Sequence, residues 1–191
     1  MIKNTIANTD IQITQLGLGC AGLGNLYQAV SDESVQATLS QALSCGINYF
    51  DTAPYYGFGY SERRLGDVLR AQPNNQYVIS TKVGRLLKPS KQDVSQNRHG
   101  FVSPMPFEPV YDYSYDGVMR SFEDSLQRLG LDKIDILLMH DIGQVTHQQQ
   151  HAQMFKTAMQ GGYKAMDELR SQGLVKAIGL GVNEYQVCEQ A

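Results

Sequence analysis

Short apolar runs alternate with longer stretches of helical periodicity along this chain, and this alternation constrains the fold more than any other feature. The runs are Leu16–Cys20, Ile47–Phe50, Tyr77–Thr81, Ile134–Met139 and Val175–Leu180. The stretch between each pair of runs is long enough to hold a helix. This alternation is typical of successive βα units that build a parallel sheet, so the predicted fold class is α/β.

Helix signals lie between the predicted strands. Ser31 is a good N-cap for the first helix, and Gly46 suits the left-handed backbone that ends it. Further helices are predicted from Ser61, over Tyr115–Leu129, and up to Gly173. Each of these helices connects two of the predicted strands, as a βα crossover requires.

Two segments depart from this rhythm. Ile11–Thr14, preceded by the turn residues Asn8–Asp10, predicts a short N-terminal hairpin. The segment 85–116 is predicted to be a long loop, and it holds four of the six prolines together with an aromatic cluster. It follows the C-terminal end of a strand, which is the face where α/β enzymes place their active sites. Two interpretations stay open: a flexible surface excursion or a substrate lid.

Composition excludes several classes of partner. The formal net charge is −3 and no cluster of basic residues is present, so we expect neither nucleic acid nor an anionic membrane as a partner. No apolar run approaches the roughly 20 residues that a bilayer span needs, and Met1–Ile13 has no apolar signal-peptide core. We therefore expect a cytoplasmic protein. Three widely spaced cysteines, Cys20, Cys45 and Cys188, suggest neither a disulfide framework nor a metal site.

Four predicted strands are followed by a polar residue that an apolar core would not select. These residues are Asp51, Lys82, His140 and Asn183. Because the carboxyl ends of parallel strands meet at one edge, a carboxylate, an ammonium, an imidazole and an amide are expected to converge there. Taken singly, the aspartate could cap a helix, the histidine could be structural and the asparagine could begin a loop. The joint pattern favours an active site.

Tyr55 and Tyr56 lie in the loop directly after Asp51, above the same edge. A lysine ammonium beside a phenol favours the phenolate and lowers the phenol pKa from about 10. Tyr56 is therefore a candidate general acid or base. The alternative, that one or both tyrosines are packing residues of a lid, stays open.

Ordered motifs run along nearly the whole chain. They are Phe50–Gly57 with Ser61–Glu62, Ser80–Gly84, Ser125–Leu131, Asp135–His140 and Gly173–Gly179. In this order they resemble the aldo-keto reductase superfamily. Three further segments are most similar to the branch that oxidises aldoses such as D-threo-aldoses or L-fucose, and to its pyridoxal-oxidising relatives: Tyr113–Gly117, His140–Gly143 and Gly179–Asn183.

The resemblance implies a (β/α)₈ barrel of the TIM type that uses NADP or NAD, and a catalytic tetrad of Asp51, Tyr56, Lys82 and His140. In that scheme Tyr56 exchanges a proton with the substrate oxygen, Lys82 held by Asp51 tunes Tyr56, and His140 orients the oxygen. Asn183 and Asp51 are the implied cofactor-binding residues, and no metal is implied. Many members carry serine just before the asparagine, whereas this chain has Val182.

Length is the main departure from the family pattern. A (β/α)₈ barrel usually takes about 250 residues, whereas this chain of 191 residues supplies five strands of that type. We therefore expect one incomplete barrel over residues 1–191, similar to the N-terminal part of such an enzyme. The expected pyrophosphate and adenine contacts belong to the later strands, and the glycines near residues 17–24 lack the context of a Rossmann site.

Three functions remain open from the sequence. The first is an NAD(P)-dependent oxidoreductase that interconverts an aldose or small carbonyl compound with its oxidised or reduced form. The second is a non-catalytic half-barrel that survives as a remnant or an interaction module. The third, a barrel enzyme with a Schiff base at Lys82, leaves Tyr56 and His140 without a role. The sequence does not decide the oligomeric state.

Overall fold

A computed structural model describes residues 1–191. The strands are β1 (Lys3–Thr5), β2 (Gln12–Thr14), β3 (Leu18–Gly19), β4 (Tyr49–Asp51), β5 (Val78–Val83), β6 (Arg85–Pro89), β7 (Phe107–Tyr111), β8 (Ile136–His140) and β9 (Ala177–Gly181). The helices are α1 (Asp32–Ser44), α2 (Tyr60–Leu69), α3 (Tyr115–Leu129), α4 (Gln144–His147), α5 (His151–Thr157), α6 (Tyr163–Ser171) and α7 (Gln186–Gln190).

Five strands form one parallel sheet in the order β3-β4-β5-β8-β9. Each strand of this sheet pairs with the member of the sheet before it in the chain and is added on the same side, as in a (β/α) barrel. The predicted α/β class with five parallel strands is confirmed. The helices pack against the outer face of this sheet around a core of 25 buried residues that includes Phe50, Ile79 and Leu137. None of the helices is long and apolar enough to cross a bilayer.

Local sequence signals explain the two longest helices. The Ser31 hydroxyl accepts a hydrogen bond from the backbone N–H of Ser34 at the start of α1. The Ser114 hydroxyl likewise accepts one from the N–H of Gly117 at the start of α3, and Gly130 ends α3 with a left-handed φ of 60°. The predicted bounds of α3 are confirmed. The helix predicted to end at Gly173 is present as α6, and it closes a longer helical region that begins at α4 and includes a π-helical turn at Ala158–Gly162.

The predicted N-terminal hairpin is confirmed, since β1 and β2 pair antiparallel. It is attached below the parallel sheet, where the N–H of Thr14 donates to the side-chain oxygen of Asn48 at 2.8 Å. Asn48 directly precedes β4. The hairpin therefore lies at the N-terminal end of the strands, opposite to the edge where the polar residues converge.

The prediction that the segment 85–116 is a long loop is wrong near both ends of the segment, where β6 and β7 lie. β6 and β7 pair antiparallel and form a ribbon that follows β5 directly. Pro109 takes part in this ribbon, which has no third strand, so the missing N–H of proline is tolerated there. Between the strands, the Arg98 guanidinium donates to the carbonyl oxygens of Met105 at 2.7 Å and Phe107 at 2.9 Å.

The apolar residues of β9 face the helices rather than the barrel interior. Ile178 and Leu180 are half-buried and share a small apolar cavity of about 160 Å³ with Met139 and Met166. Because side chains alternate along a strand, Ile178 and Leu180 share the outer face of β9. The two interior positions of β9 nearest the cleft are Gly179 and Gly181; a Cβ on Gly181 would lie 2.9 Å from Cε of Lys82.

We expect the 191-residue chain on its own to self-associate in a concentration-dependent way. β3 and β9 each have one unpaired edge, and exposed parallel edges are uncommon in stable monomers. Size-exclusion chromatography with light scattering over a hundredfold range of protein concentration measures this. A monomeric mass at every concentration would show that these edges are protected.

Candidate active site

A cleft of about 260 Å³ opens at the carboxyl ends of β4, β5, β8 and β9. Its lining residues are Asp51, Tyr56, Lys82, Leu138, His140, Asp141, Leu180, Gly181, Val182 and Asn183. All five site residues predicted from the sequence are among them. Three of them belong to the strands themselves: Asp51 and His140 are the last residues of β4 and β8, and Lys82 is the last but one of β5. The structure thus brings the predicted residues together, while their chemical roles stay predictions.

Lys82 is buried and its ammonium has two hydrogen-bond acceptors. The Nζ atom donates to Oδ2 of Asp51 at 2.7 Å and to the carbonyl oxygen of Thr52 at 2.9 Å. The Tyr56 ring faces the same amine, with its centroid 4.9 Å from Nζ. Burial acts to lower the pKa of Lys82, but the Asp51 charge and the nearby Tyr56 outweigh it, and the pKa is raised. Lys82 is therefore a cation at neutral pH.

Asp51 has a second set of partners that the sequence did not reveal. The Ser80 hydroxyl donates to Oδ1 of Asp51 at 2.6 Å and is also 3.0 Å from the hydroxyl of Tyr49. Ser80 and Lys82 are two residues apart on β5, so their side chains point to the same interior face. This two-residue spacing was the feature of the sequence from which Ser80 could have been predicted as a site residue. Both carboxylate oxygens of Asp51 are thus engaged.

Close backbone packing holds Tyr56 above the amine. The turn Gly22–Gly24 after β3 packs against the Tyr56 backbone, and a Cβ on Gly24 would lie 2.6 Å from the carbonyl carbon of Tyr56. Only glycine permits this approach. The Tyr55 ring is also 6.1 Å from the His140 ring, but the cation on its face is Arg85, whose guanidinium lies 3.9 Å from its centroid. The two tyrosines are therefore distinct, and Tyr56 is the one that faces Lys82.

His140 is buried beside this pair. Its ring lies 6.1 Å from the Tyr56 ring, and its Nδ1 atom is buried without a hydrogen-bond partner. Burial lowers the pKa of His140 well below its usual value, and the positive charges of Arg85 and Lys82 lower it further. His140 is therefore neutral at pH 7 and carries a single N–H.

Two charged residues beside His140 were missed by the sequence analysis. Asp141 pairs through Oδ2 with the Arg85 guanidinium, and its Oδ1 accepts a hydrogen bond from the Asn183 amide at 3.2 Å. Asp141 has a left-handed φ of 48°, a conformation in which aspartate is tolerated. Arg85 reaches the site from β6, so only the tertiary structure brings it near. The adjacency of Asp141 to His140 was the only signal in the sequence.

The cleft offers a hydrogen-bond acceptor that suits the amide group of a nicotinamide carboxamide. The Asn183 Nδ2 atom donates to Asp141, which leaves its Oδ1 atom free to accept from a ligand amide. Leu138 and Val182 add apolar surface beside it. The residues present therefore fit the nicotinamide end of such a cofactor. No group of three or more histidine, cysteine, aspartate or glutamate side chains is arranged to hold a metal ion.

Comparison with known proteins gives a consistent result. The model of the aldo/keto reductase family matches residues 15–191. The chain is 45% identical to pyridoxal 4-dehydrogenase of Microbacterium luteolum, with 99% of this chain and 58% of that protein covered. It is 38% identical to D-threo-aldose 1-dehydrogenase of a Pseudomonas species, with 92% and 52% covered. The chain thus spans about half the length of these curated relatives.

A solved structure with the same fold is an aldo-keto reductase from Bacillus halodurans in its holo form. It superposes with a TM-score of 0.72 at 24% identity, covering 100% of this chain and 53% of that one. The parallel strands and helices described above are therefore part of a TIM-type barrel. The chain belongs to the aldo/keto reductase family, a family of oxidoreductases.

We expect the free energy of unfolding to fall as the pH falls below about 6.5, the ordinary histidine value. The folded-state pKa of His140 is lowered, so the unfolded chain binds more protons in this window and protonation favours unfolding. The slope reaches at most about 1.4 kcal/mol per pH unit for each proton. Urea unfolding at one protein concentration, from pH 8 to pH 5, measures it.

His147, whose pKa is also lowered, adds to this slope. The slope should therefore decrease, without vanishing, in His140→Gln. His147→Gln is the matched control and should remove a smaller part, since His140 is the more strongly shifted group. An identical slope in wild type and His140→Gln would contradict the burial of His140 as a neutral imidazole.

Proposed function

We propose that this chain carries the catalytic side chains of an NAD(P)-dependent oxidoreductase that interconverts an aldose or small carbonyl compound with its oxidised or reduced form. The observation that carries the proposal is the Lys82 ammonium held by Asp51 beneath the ring of Tyr56, with neutral His140 at the same cleft. A phenol beside a cation and a neutral imidazole donor is suited to proton exchange at a carbonyl oxygen.

In this proposal Tyr56 is the proton carrier. It gives its proton to the substrate oxygen during reduction and takes it back during oxidation. The Lys82 ammonium stabilises the phenolate form, and Asp51 keeps that ammonium in place. His140 donates a hydrogen bond that fixes the substrate oxygen near Tyr56. When bound, a nicotinamide cofactor would supply the hydride in reduction and accept it in oxidation, and Asn183 would hold its carboxamide.

The substrate class follows from the relatives and from the cleft. Relatives at 45% and 38% identity are named as dehydrogenases of pyridoxal and of D-threo-aldoses. Both names describe polar small molecules, which suit a cleft lined by two carboxylates, an amide and an imidazole. We propose NADP or NAD as cofactor, a cytoplasmic location, and no nucleic-acid or membrane partner.

We further propose that the segment 85–116 acts as a substrate lid. Phe101, at the centre of that segment, is buried and packs edge-on against Tyr55, with ring centroids 5.4 Å apart. It also lies 6.5 Å from the Tyr56 ring. The segment is anchored at this point because the Tyr27 N–H donates to the Gly100 carbonyl oxygen at 2.8 Å. A segment held this close to Tyr56 shields the reacting atoms from water.

Tyr56→Phe should lower turnover by roughly 10²-fold or more, because a positioned general acid or base supplies about that factor. Turnover is measured in the chain itself and in a chimera that continues into the C-terminal part of the Microbacterium relative. The substrates are pyridoxal and D-threo-aldoses, with both nicotinamide cofactors. Cofactor affinity, followed by fluorescence, should be unchanged because in this proposal the phenol oxygen contacts the substrate and not the cofactor.

Tyr55→Phe is the matched control, since Tyr55 neighbours Tyr56 but faces Arg85. It should retain most of the activity. Equal losses in the two variants would contradict the assignment of Tyr56. A wild-type chimera that binds cofactor but turns over no carbonyl compound would contradict the proposed function itself.

Phe101→Ala should raise KM more than it lowers kcat, because it removes the aromatic contact that holds the lid over the cleft without touching the proton carrier. Steady-state kinetics of the same chimera measure the two constants. Val94→Ala, at an exposed position of the same segment, is the control and should change neither. A loss confined to kcat would argue against a lid.

A further inference from the structure

The two ring nitrogens of His140 have different surroundings. Nε2 lies 3.5 Å from Oδ2 of Asp141, at the outer limit of a hydrogen bond, whereas Nδ1 is buried and has no partner. A neutral imidazole carries its proton on one nitrogen and a lone pair on the other. The choice between the two tautomers decides whether His140 donates or accepts on its Asp141 side.

Burial makes this choice energetically significant. A buried N–H without an acceptor costs about 1–3 kcal/mol, and such orphaned donors are rarer in proteins than unpaired acceptors. With the proton on Nδ1, the N–H would be orphaned and the Nε2 lone pair would face a carboxylate. With the proton on Nε2, the N–H points toward an anionic acceptor, and only a lone pair is left unpaired. The second arrangement is the favourable one.

Asp141 cannot turn its carboxylate away from His140. Arg85 holds Oδ2 and Asn183 holds Oδ1, yet each oxygen keeps a second lone pair. The backbone is held as well: the Tyr113 hydroxyl lies 2.7 Å from the carbonyl oxygen of His140 and 3.2 Å from that of Asp141. The acceptor beside Nε2 is therefore fixed in space from both its side chain and its main chain.

We propose that Asp141 is a positioning residue that fixes His140 in the Nε2–H tautomer, so that the ring carries its one N–H on the Asp141 side and its lone pair on the buried Nδ1. Asp141 acts through His140 and does not itself exchange a proton. The use of that N–H for a substrate oxygen, which would share it with Oδ2 of Asp141, rests on the function proposed above, whereas the tautomer is a property of this chain alone. Arg85 and Asn183 contribute because they hold the Asp141 carboxylate beside Nε2 of His140.

His147 provides an internal reference in the same cluster. Its Nε2 atom is 3.0 Å from the Tyr113 hydroxyl oxygen. The single proton of that hydroxyl is directed to the backbone carbonyl oxygens of His140 and Asp141, so the hydroxyl oxygen accepts from Nε2–H of His147. This contact does not involve the side chain of Asp141. The His147 tautomer should therefore be unaffected by changes to that side chain.

The test is the tautomer itself, read from two-bond ¹H–¹⁵N correlations of the imidazole rings in uniformly ¹⁵N-labelled chain at pH 7.5 or above. Spectra are recorded at the concentration that gives the smallest species on chromatography. The chain has four histidines, so the absence of one set of signals in His140→Gln assigns that ring. We expect the Nε2–H pattern for His140 in the wild type.

Three variants at position 141 distinguish the loss of the hydrogen-bond acceptor from a general disruption of the fold. Asp141→Asn keeps a carbonyl oxygen for Arg85 and His140 and should retain the Nε2–H pattern. Asp141→Leu has a similar size and no acceptor, so the Nε2–H form loses the stabilisation that the carboxylate gives it, and a minor population with the proton on Nδ1 should appear beside it. Because leucine is strained at a left-handed φ, Asp141→Gly is made in parallel; it removes the acceptor without backbone strain. It should show the same mixture.

An Nδ1–H pattern in the wild type would overturn the proposal, as would an unchanged Nε2–H pattern in whichever of the leucine and glycine variants fold. A change in the His147 signals equal to that of His140 would show general disruption and would also count against it. None of these readouts uses turnover. An inactive chimera whose His140 carries the Nε2–H pattern would contradict the proposed function while leaving this inference intact.

Discussion

The burial of the Lys82 ammonium is the constraint around which the upper end of the sheet is arranged. A buried cation without partners costs several kcal/mol, so its neighbours must satisfy it. Asp51 and the Thr52 carbonyl oxygen do so directly. Thr52 is fixed in turn, because its hydroxyl is 2.9 Å from that of Ser61 at the start of α2. The lysine thus ties two strands and a helix together.

Strand β5 carries buried polar contacts on both of its faces. On the inner face, Lys82 and Ser80 hold the two oxygens of Asp51. On the outer face, the Thr81 hydroxyl donates to Glu62 at 2.7 Å, and Glu62 is paired with Arg128 of α3. Removing one partner of such a buried pair leaves an uncompensated charge. The position of Lys82 is therefore determined by the helix layer as well as by the cleft.

The sequence predicted what depends on strand ends and helix caps. A polar residue directly after an apolar run is unusual, and this feature identified Asp51, Lys82 and His140. Helix α3 was predicted because both of its caps are local signals. Arg85 could not be found in this way, since it reaches Asp141 across 56 positions of sequence. Its ribbon was hidden by prolines, which normally count against a strand.

The direction of the β9 side chains shows a different limit. An alternating run defines two faces of a strand but does not say which face lines a barrel, and the size of Ile178 and Leu180 does not decide it. The helices of this fold need an apolar surface, so the larger residues belong on the outside. The interior side is then left to glycines.

That arrangement has a consequence for the shape of the cleft. Gly179 and Gly181 present no side chain to the interior, so the wall formed by β9 consists of peptide planes. A planar wall selects ligand groups by their thickness rather than by their polarity. A flat ring can lie against the backbone at van der Waals distance, whereas a puckered or branched group cannot approach as closely. The aliphatic part of Lys82 fills the space beside Gly181, so the lysine itself sets how deep such a ring can sit.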